Sequence, residues 1–311
     1  MKVLFTANYG DEKFQKIRDL GYKVIYYPEK NIQNNEDINS ADILVTYNPF
    51  SSLDISKMVD LKYIQTTSIG IDQVPKSEVL RRNIILANNK GGYSIPMGEW
   101  IVMYILEIYK NSVKLYNQQK NKEWKMDFSV TEVYGKKIGF LGTGTIALEA
   151  AKRLKAFGVE IWGVNTTGDI KEYFDKCFST DNMDDVFKNC DVVISTIPST
   201  KQTIRIINKE KFKIMKEGSI FINVGRGNIV NEKDLIENIH KFRGVALDVF
   251  ETEPLSSESK LWDFENVIIT PHNSWISNMN KERTFNTIYN NLKNYIEGRE
   301  LNNIVDIKKG Y

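Results

Sequence analysis

A chain of 311 residues, 41% hydrophobic and 26% charged, has the composition of an ordinary globular protein with material for about two domains. Its 42 basic and 40 acidic residues leave a net charge of +2, a near-balance that gives no basis for a nucleic-acid or membrane partner. Cys177 and Cys190 have no paired spacing and read as reduced thiols of a cytoplasmic protein, and no metal site is expected.

The opening "MKVLFTANYG" has too short an apolar run for a signal peptide. In residues 1–93, "KVLFTA", "KVIYYP", "DILVTY", "KYIQTTS" and "NIILANN" read as strands, short and rich in β-branched or aromatic residues. Helix candidates such as "DEKFQKIRDLG", ending at Gly21, lie between them, so a parallel sheet covered on both faces is expected. This unit has no glycine-rich phosphate loop. A long helix is expected from Ser94, as N-cap with Pro96 in the first turn, to about Lys114. Its apolar run, Trp100 to Tyr109, is far short of the ~20 residues that span a bilayer and contains Glu107, so it reads as a buried helix.

After a polar segment dotted with aromatics, the alternation restarts with strand "KIGFLG" and a helix from Thr145 to Phe157. It continues through "VEIWGVN", "MDDVFKN", "DVVISTIP", "KEKFKIM", "SIFINVG", "EKDLIENIH", "RGVALDVF" and "NVIITPH" to a last helix from about Asn278 to Tyr295. The expected fold class is α/β, with two doubly wound parallel-sheet domains. Residues 94–277 form the dinucleotide-binding domain, inserted between a first part, 1–93, and a helix and tail, 278–311, that returns to it.

The stretch "FLGTGTIALEA" places Gly142, Gly144 and Ala147 between a strand and a helix. In a dinucleotide fold the first glycine makes the tight turn, the second lets the backbone approach the pyrophosphate, and the third position, where alanine is accepted, permits close helix packing. The helix start then offers free N–H groups and its dipole to phosphate. About 20 residues on, where a carboxylate would bind the ribose 2′-hydroxyl, stand Asn165, Thr166 and Thr167. Asp169 could still supply an acid and Lys171 could pair with a phosphate, so the cofactor is written NAD(P), with a slight lean to NADP.

Ligands of such sheets lie outside the carboxyl ends of the strands. Three later strands end in reactive side chains: Arg226 between two glycines, Asp248 followed by Glu253, and His272 after Thr270 and Pro271. Of the two histidines, His240 reads as helix surface. A guanidinium forks onto a carboxylate, an imidazole can protonate a carbonyl oxygen, and a neighbouring carboxylate fixes its tautomer and stabilises the imidazolium. That set suits reduction of a 2-oxo acid to a 2-hydroxy acid.

At this point the sequence resembles the D-isomer-specific 2-hydroxyacid dehydrogenases. The resemblance is carried by "QTTSIGIDQV", "GEW", "KKIGFLGTGTIA", "DVVISTIPST", "EGSIFINVGRGNIVNEKDLI", "GVALDVFETEPL" and "NVIITPHNSW". It implies a Rossmann cofactor domain inserted in a flavodoxin-like substrate domain, with the active site in the cleft. It implies Arg226 as carboxylate binder, Glu253 as supporting acid, His272 as acid–base group, and Asp248 on the nicotinamide carboxamide. The pyrophosphate contacts fall on Gly142, Thr143, Gly144, Thr145 and Ile146, and Pro198 and Val224 also join the cofactor set. Ile69 and Gly70 would cradle the substrate carboxylate, and Lys90, Tyr93 and Trp275 would line the side-chain pocket. The helix from Ser94 and the segment around Trp124 imply a homodimer. The partner implied is a small 2-oxo acid. An NAD(H)-sensing binding protein or regulator on the same scaffold is the alternative reading, and a formate or phosphite dehydrogenase a third.

Overall fold

A computed structural model describes residues 1–308. The chain divides into two compact units, Met1–Gly92 with the segment from Ser277 onward, and Tyr93–Ile276.

The first unit begins β1 (Lys2–Phe5), α1 (Asp11–Asp19), β2 (Lys23–Tyr26), α2 (Glu36–Asn39), β3 (Ile43–Thr46), β4 (Tyr63–Thr66), α3 (Lys76–Arg81) and β5 (Ile85–Ala87). All pairings are parallel, in the order β2-β1-β3-β4-β5, the flavodoxin-like order. β3 and β4 are buried along their whole length, as strands covered on both faces must be. α1 turns Phe14 and Ile17 inward, and the Phe14 ring meets Phe5 edge-on at 5.2 Å.

The second unit holds α4 (Ser94–Tyr109), α5 (Ser112–Lys120), β6 (Lys137–Leu141), α6 (Thr145–Leu154), β7 (Glu160–Asn165), β8 (Lys176–Ser179), α7 (Asp184–Asn189), β9 (Val192–Ser195), α8 (Lys209–Ile214), β10 (Ile220–Asn223), α9 (Glu232–Asn238), β11 (Gly244–Leu247) and β12 (Val267–Ile269). Its seven strands are parallel, in the order β12-β11-β10-β9-β6-β7-β8. The order reverses between β6 and β9, and the glycine loop follows β6 at that switch point, where such sheets bind dinucleotides. The chain then returns to the first unit as α10 (Asn280–Ile296), which packs Phe285, Ile288 and Leu292 into the core around β1 and β3. The tail makes an antiparallel bridge from Ile304 to Ala87 of β5.

The helix expected from Ser94 to Lys114 is two helices. Asn111 takes φ +51 between them. Its amide donates to Asp127 Oδ2 at 2.9 Å and Ser129 Oγ at 2.8 Å, and Arg243 donates to the Tyr109 carbonyl at 3.2 Å. Those partners come from distant positions, so no local pattern announces the break. Ser94 is not the cap: it is the first helical residue, and its hydroxyl donates to Thr145 Oγ1 at 2.8 Å. β8, which the pattern does not reveal, is an edge strand without a buried residue. Among the described residues no helix is long and apolar enough to cross a membrane.

Candidate active site

The turn after β6 fits a pyrophosphate. Gly142 takes φ +93, a left-handed conformation that favours glycine, and so reverses the chain in one step. Gly144, at the start of α6, is exposed, and a methyl group built on it would meet nothing within 4 Å. No side chain caps α6, so its first N–H groups remain free for an anion. Thr143, Thr145 and Ile146 sit half-buried around this turn, while Ala147 is wholly buried, as the close-packing position requires.

At the end of β7, Asn165 is used up within its own loop. Its Oδ1 accepts from the N–H groups of Thr167 (3.1 Å) and Gly168 (2.7 Å), and its amide donates to the Asp169 carbonyl (2.9 Å) and Thr143 Oγ1 (3.3 Å). The Asp169 carboxylate accepts from the Thr167 hydroxyl at 2.6 Å, and Thr166 is exposed.

β10, β11 and β12 run side by side in parallel register, so their carboxyl ends adjoin. Arg226 follows β10 on a turn bracketed by the buried Asn223, whose Oδ1 accepts the Gly225 N–H (3.1 Å) and whose amide donates to the Arg226 carbonyl (3.0 Å). Both flanking glycines allow close approach. A Cβ on Gly225 would lie 2.6 Å from the Ile197 carbonyl oxygen, and one on Gly227 would lie 1.9 Å from the Phe250 carbonyl carbon and oxygen. His272 Nδ1 lies 2.8 Å from Glu253 Oε2, and Glu253 Oε1 accepts the Phe250 N–H at 3.0 Å. Burial works against the charge on Glu253. The bonds from His272 and Phe250, with the charges of His272 and Arg226, prevail and hold the carboxyl below its ordinary 4.5. The structure thus gathers Arg226, Glu253 and His272, and puts His240 on an exposed turn away from them. The sequence alone gives no sign of the bracing by Asn223, through its side chain, or by Phe250, through its backbone N–H.

Two residues that the resemblance carries onto the cofactor are buried. Val224 is 1% exposed and belongs to the apolar core. Asp248 is 0% exposed, and its carboxylate accepts from Thr270, Asn273 and Ser274. Pro198 is exposed after β9. Trp275 is 39% exposed and meets Tyr93 edge-on at 5.4 Å. In the first unit, the carbonyls of Ile69 and Gly70 accept from Asn88 Nδ2 (2.8 Å) and Ser68 Oγ (2.7 Å), while their N–H groups donate to nothing among the described residues. Lys90, in the same unit, is exposed. Among the described residues no group of three or more His, Cys, Asp or Glu could hold a metal ion.

Residues 102–274 match the sequence model of the D-isomer specific 2-hydroxyacid dehydrogenase NAD binding domain. A D-3-phosphoglycerate dehydrogenase of Methanocaldococcus jannaschii is 28% identical over 99% of this chain and 60% of its own length. A hydroxypyruvate reductase of Blautia hydrogenotrophica is 26% identical over 96% of each chain. Among solved structures, an NADPH-dependent glyoxylate/hydroxypyruvate reductase of Sinorhizobium meliloti, in complex with NADP and sulfate, is 26% identical. It superposes with a TM-score of 0.82 over 100% of this chain and 99% of that one. With more than half its length matched by the family model, and with a glycine turn and an Arg–Glu–His group at one sheet edge, the chain belongs to the D-isomer specific 2-hydroxyacid dehydrogenases, NAD(P)-dependent oxidoreductases that interconvert 2-oxo acids and D-2-hydroxy acids.

Proposed function

We propose that this chain reduces small 2-oxo acids, with Arg226, Glu253 and His272 as its catalytic group and Gly142–Ile146 as its pyrophosphate cradle. The observation that carries the reading is the 2.8 Å contact of His272 with Glu253, beside Arg226, on the sheet that bears the glycine turn. When bound, the nicotinamide supplies the hydride that the keto carbon receives. Arg226 orients the substrate and draws electron density from its keto oxygen, using a planar fork matched to carboxylate geometry. Glu253 holds His272 by Nδ1, which leaves Nε2 as the nitrogen that faces substrate and gives its proton to the keto oxygen. An ionised Glu253 also stabilises the imidazolium. For Ile69 and Gly70 we propose an anion-binding role, since their N–H groups are free to donate to a carboxylate. The Tyr93–Trp275 pair suits a small or moderately apolar side chain.

The slight lean to NADP has two supports. Asn165 offers no carboxylate at the ribose and is already committed to its own loop. The Sinorhizobium relative is described with NADP. A homodimer is supported by large apolar side chains left in solvent after α5, with Trp124 99% and Phe128 88% exposed. The two free thiols, Cys177 and Cys190, suit the cytoplasm.

Initial rates for a panel of 2-oxo acids, each with NADH and with NADPH, test the reading. His272→Ala should lower kcat by about 10²–10⁴-fold, the usual worth of a general acid, with cofactor affinity near wild type. Unchanged turnover would remove His272 from the mechanism. Tight NADH binding without turnover of any 2-oxo acid would favour a sensor instead, and activity confined to formate or phosphite would select that chemistry.

A further inference from the structure

His272 takes φ +52, a left-handed backbone that a non-glycine residue keeps only when its surroundings hold it there. The surroundings are Asp248. Its carbonyl accepts the His272 N–H at 2.8 Å. Its Oδ1 accepts the Thr270 hydroxyl (2.5 Å) and the Asn273 N–H (2.7 Å), and its Oδ2 accepts the N–H (3.0 Å) and hydroxyl (2.5 Å) of Ser274. Four donors fill the acceptor sites of one carboxylate. Because Thr270 spends its only proton on Asp248, the Tyr104 hydroxyl 2.6 Å away must donate to Thr270. The turn bearing His272 is therefore bonded through Asp248 and Thr270 to α4, deep in the core. Tyr104, Asp248 and Ser274 are all fully buried.

We propose that Asp248 is a positioning residue for the active-site imidazole: through Thr270, Asn273 and Ser274 it fixes the left-handed turn that aims His272, while Glu253 fixes the ring. The inference rests on His272 being the acid–base group, and its test separates the two. Asp248 lies under four donors, so its partners are changed instead. Ser274→Ala deletes one bond to Asp248, and Thr270→Val deletes the bond to Asp248 together with the one from Tyr104, neither altering charge or much volume; Thr270→Ser restores the hydroxyl.

The 311-residue chain, labelled with ¹⁵N-histidine, gives two imidazoles to follow, His272 and the exposed His240 as internal reference. In Thr270→Val and Ser274→Ala the ring resonances of His272 in the free protein should shift while those of His240 stay. NADH affinity should remain within about twofold, and kcat should fall about 10–100-fold with KM little changed, the scale expected for a catalytic group displaced by an ångström. Thr270→Ser should recover most of both changes. Loss of NADH affinity in step with kcat, with the His272 resonances unmoved, would overturn the proposal and give Asp248 to the cofactor. Displaced His272 resonances with wild-type kcat would show the tether to be real, and would bring down His272 as the acid instead.

Discussion

Gly227→Ala probes how the active group is held. The added Cβ would lie 1.9 Å from the Phe250 carbonyl, where ordinary contact begins near 3.4 Å, so one backbone must recede by 3.4 − 1.9 = 1.5 Å. Phe250 is not free to move alone, because its N–H, across the Cα from the crowded carbonyl, donates to Glu253 Oε1, and Glu253 Oε2 holds His272 Nδ1 at 2.8 Å. If half of the displacement reaches Glu253, that contact opens to roughly 3.5 Å and is no longer a hydrogen bond. We expect kcat for 2-oxo acid reduction to fall about 10²-fold, and overpacking to cost about 1–3 kcal/mol in urea unfolding. Gly144→Ala is the contrasting substitution. It meets nothing within 4 Å, so stability should stay within about 0.5 kcal/mol. NAD(P)H affinity should nonetheless drop about tenfold or more, or about 1.4 kcal/mol, because the methyl group occupies the space read as the phosphate cradle. Absorbance assays, NAD(P)H fluorescence titration and urea curves measure all of these quantities. Wild-type rates and stability in Gly227→Ala would refute the backbone wedge, and wild-type cofactor binding in Gly144→Ala would refute the cradle.

Glu253 titrates below its ordinary value in the folded chain, so its contribution to stability is present above about pH 4.5 and is lost as pH falls through the folded value. Glu253→Gln should therefore flatten the stability–pH curve on the acid side, and parallel curves for variant and wild type would contradict the assignment. Charging the exposed apolar segment, as in Trp124→Lys with Phe128→Glu, should convert a dimer into a monomer by sedimentation equilibrium; a wild-type protein that is already monomeric at micromolar concentration would dispose of the dimer.

The parts of the fold that were legible in sequence are those set by neighbours in the chain. The glycine turn could be read because strand, glycines and helix follow one another within residues 137–154. Arg226, Glu253 and His272 could be read because each follows a short apolar strand, and adjacent parallel strands must bring their carboxyl ends together. What escaped depends on partners far away in the chain. The break at Asn111 is set by Asp127, Ser129 and Arg243. Ser94 looks like a cap by its position, yet its hydroxyl bonds to Thr145, 51 residues on. The bonds of Asp248 to Thr270, Asn273 and Ser274 likewise join a strand end to a loop 22 or more residues on.

Arg226, Glu253 and His272 share one organising segment, the end of β11. Phe250 receives Gly227 against its carbonyl and gives its N–H to Glu253, so a single residue sets both the Arg226 turn and the carboxylate. Two residues earlier, Asp248 points the other way and bonds the loop after β12 that carries His272. β11 lies between β10 and β12 in the sheet, which is what allows one strand end to reach both neighbours. Side-chain packing on an exposed edge would leave a guanidinium and an imidazole free to wander through several rotamers. Backbone wedges and a buried carboxylate do not. That difference explains how groups 46 residues apart in the chain, Arg226 and His272, are held at one sheet edge.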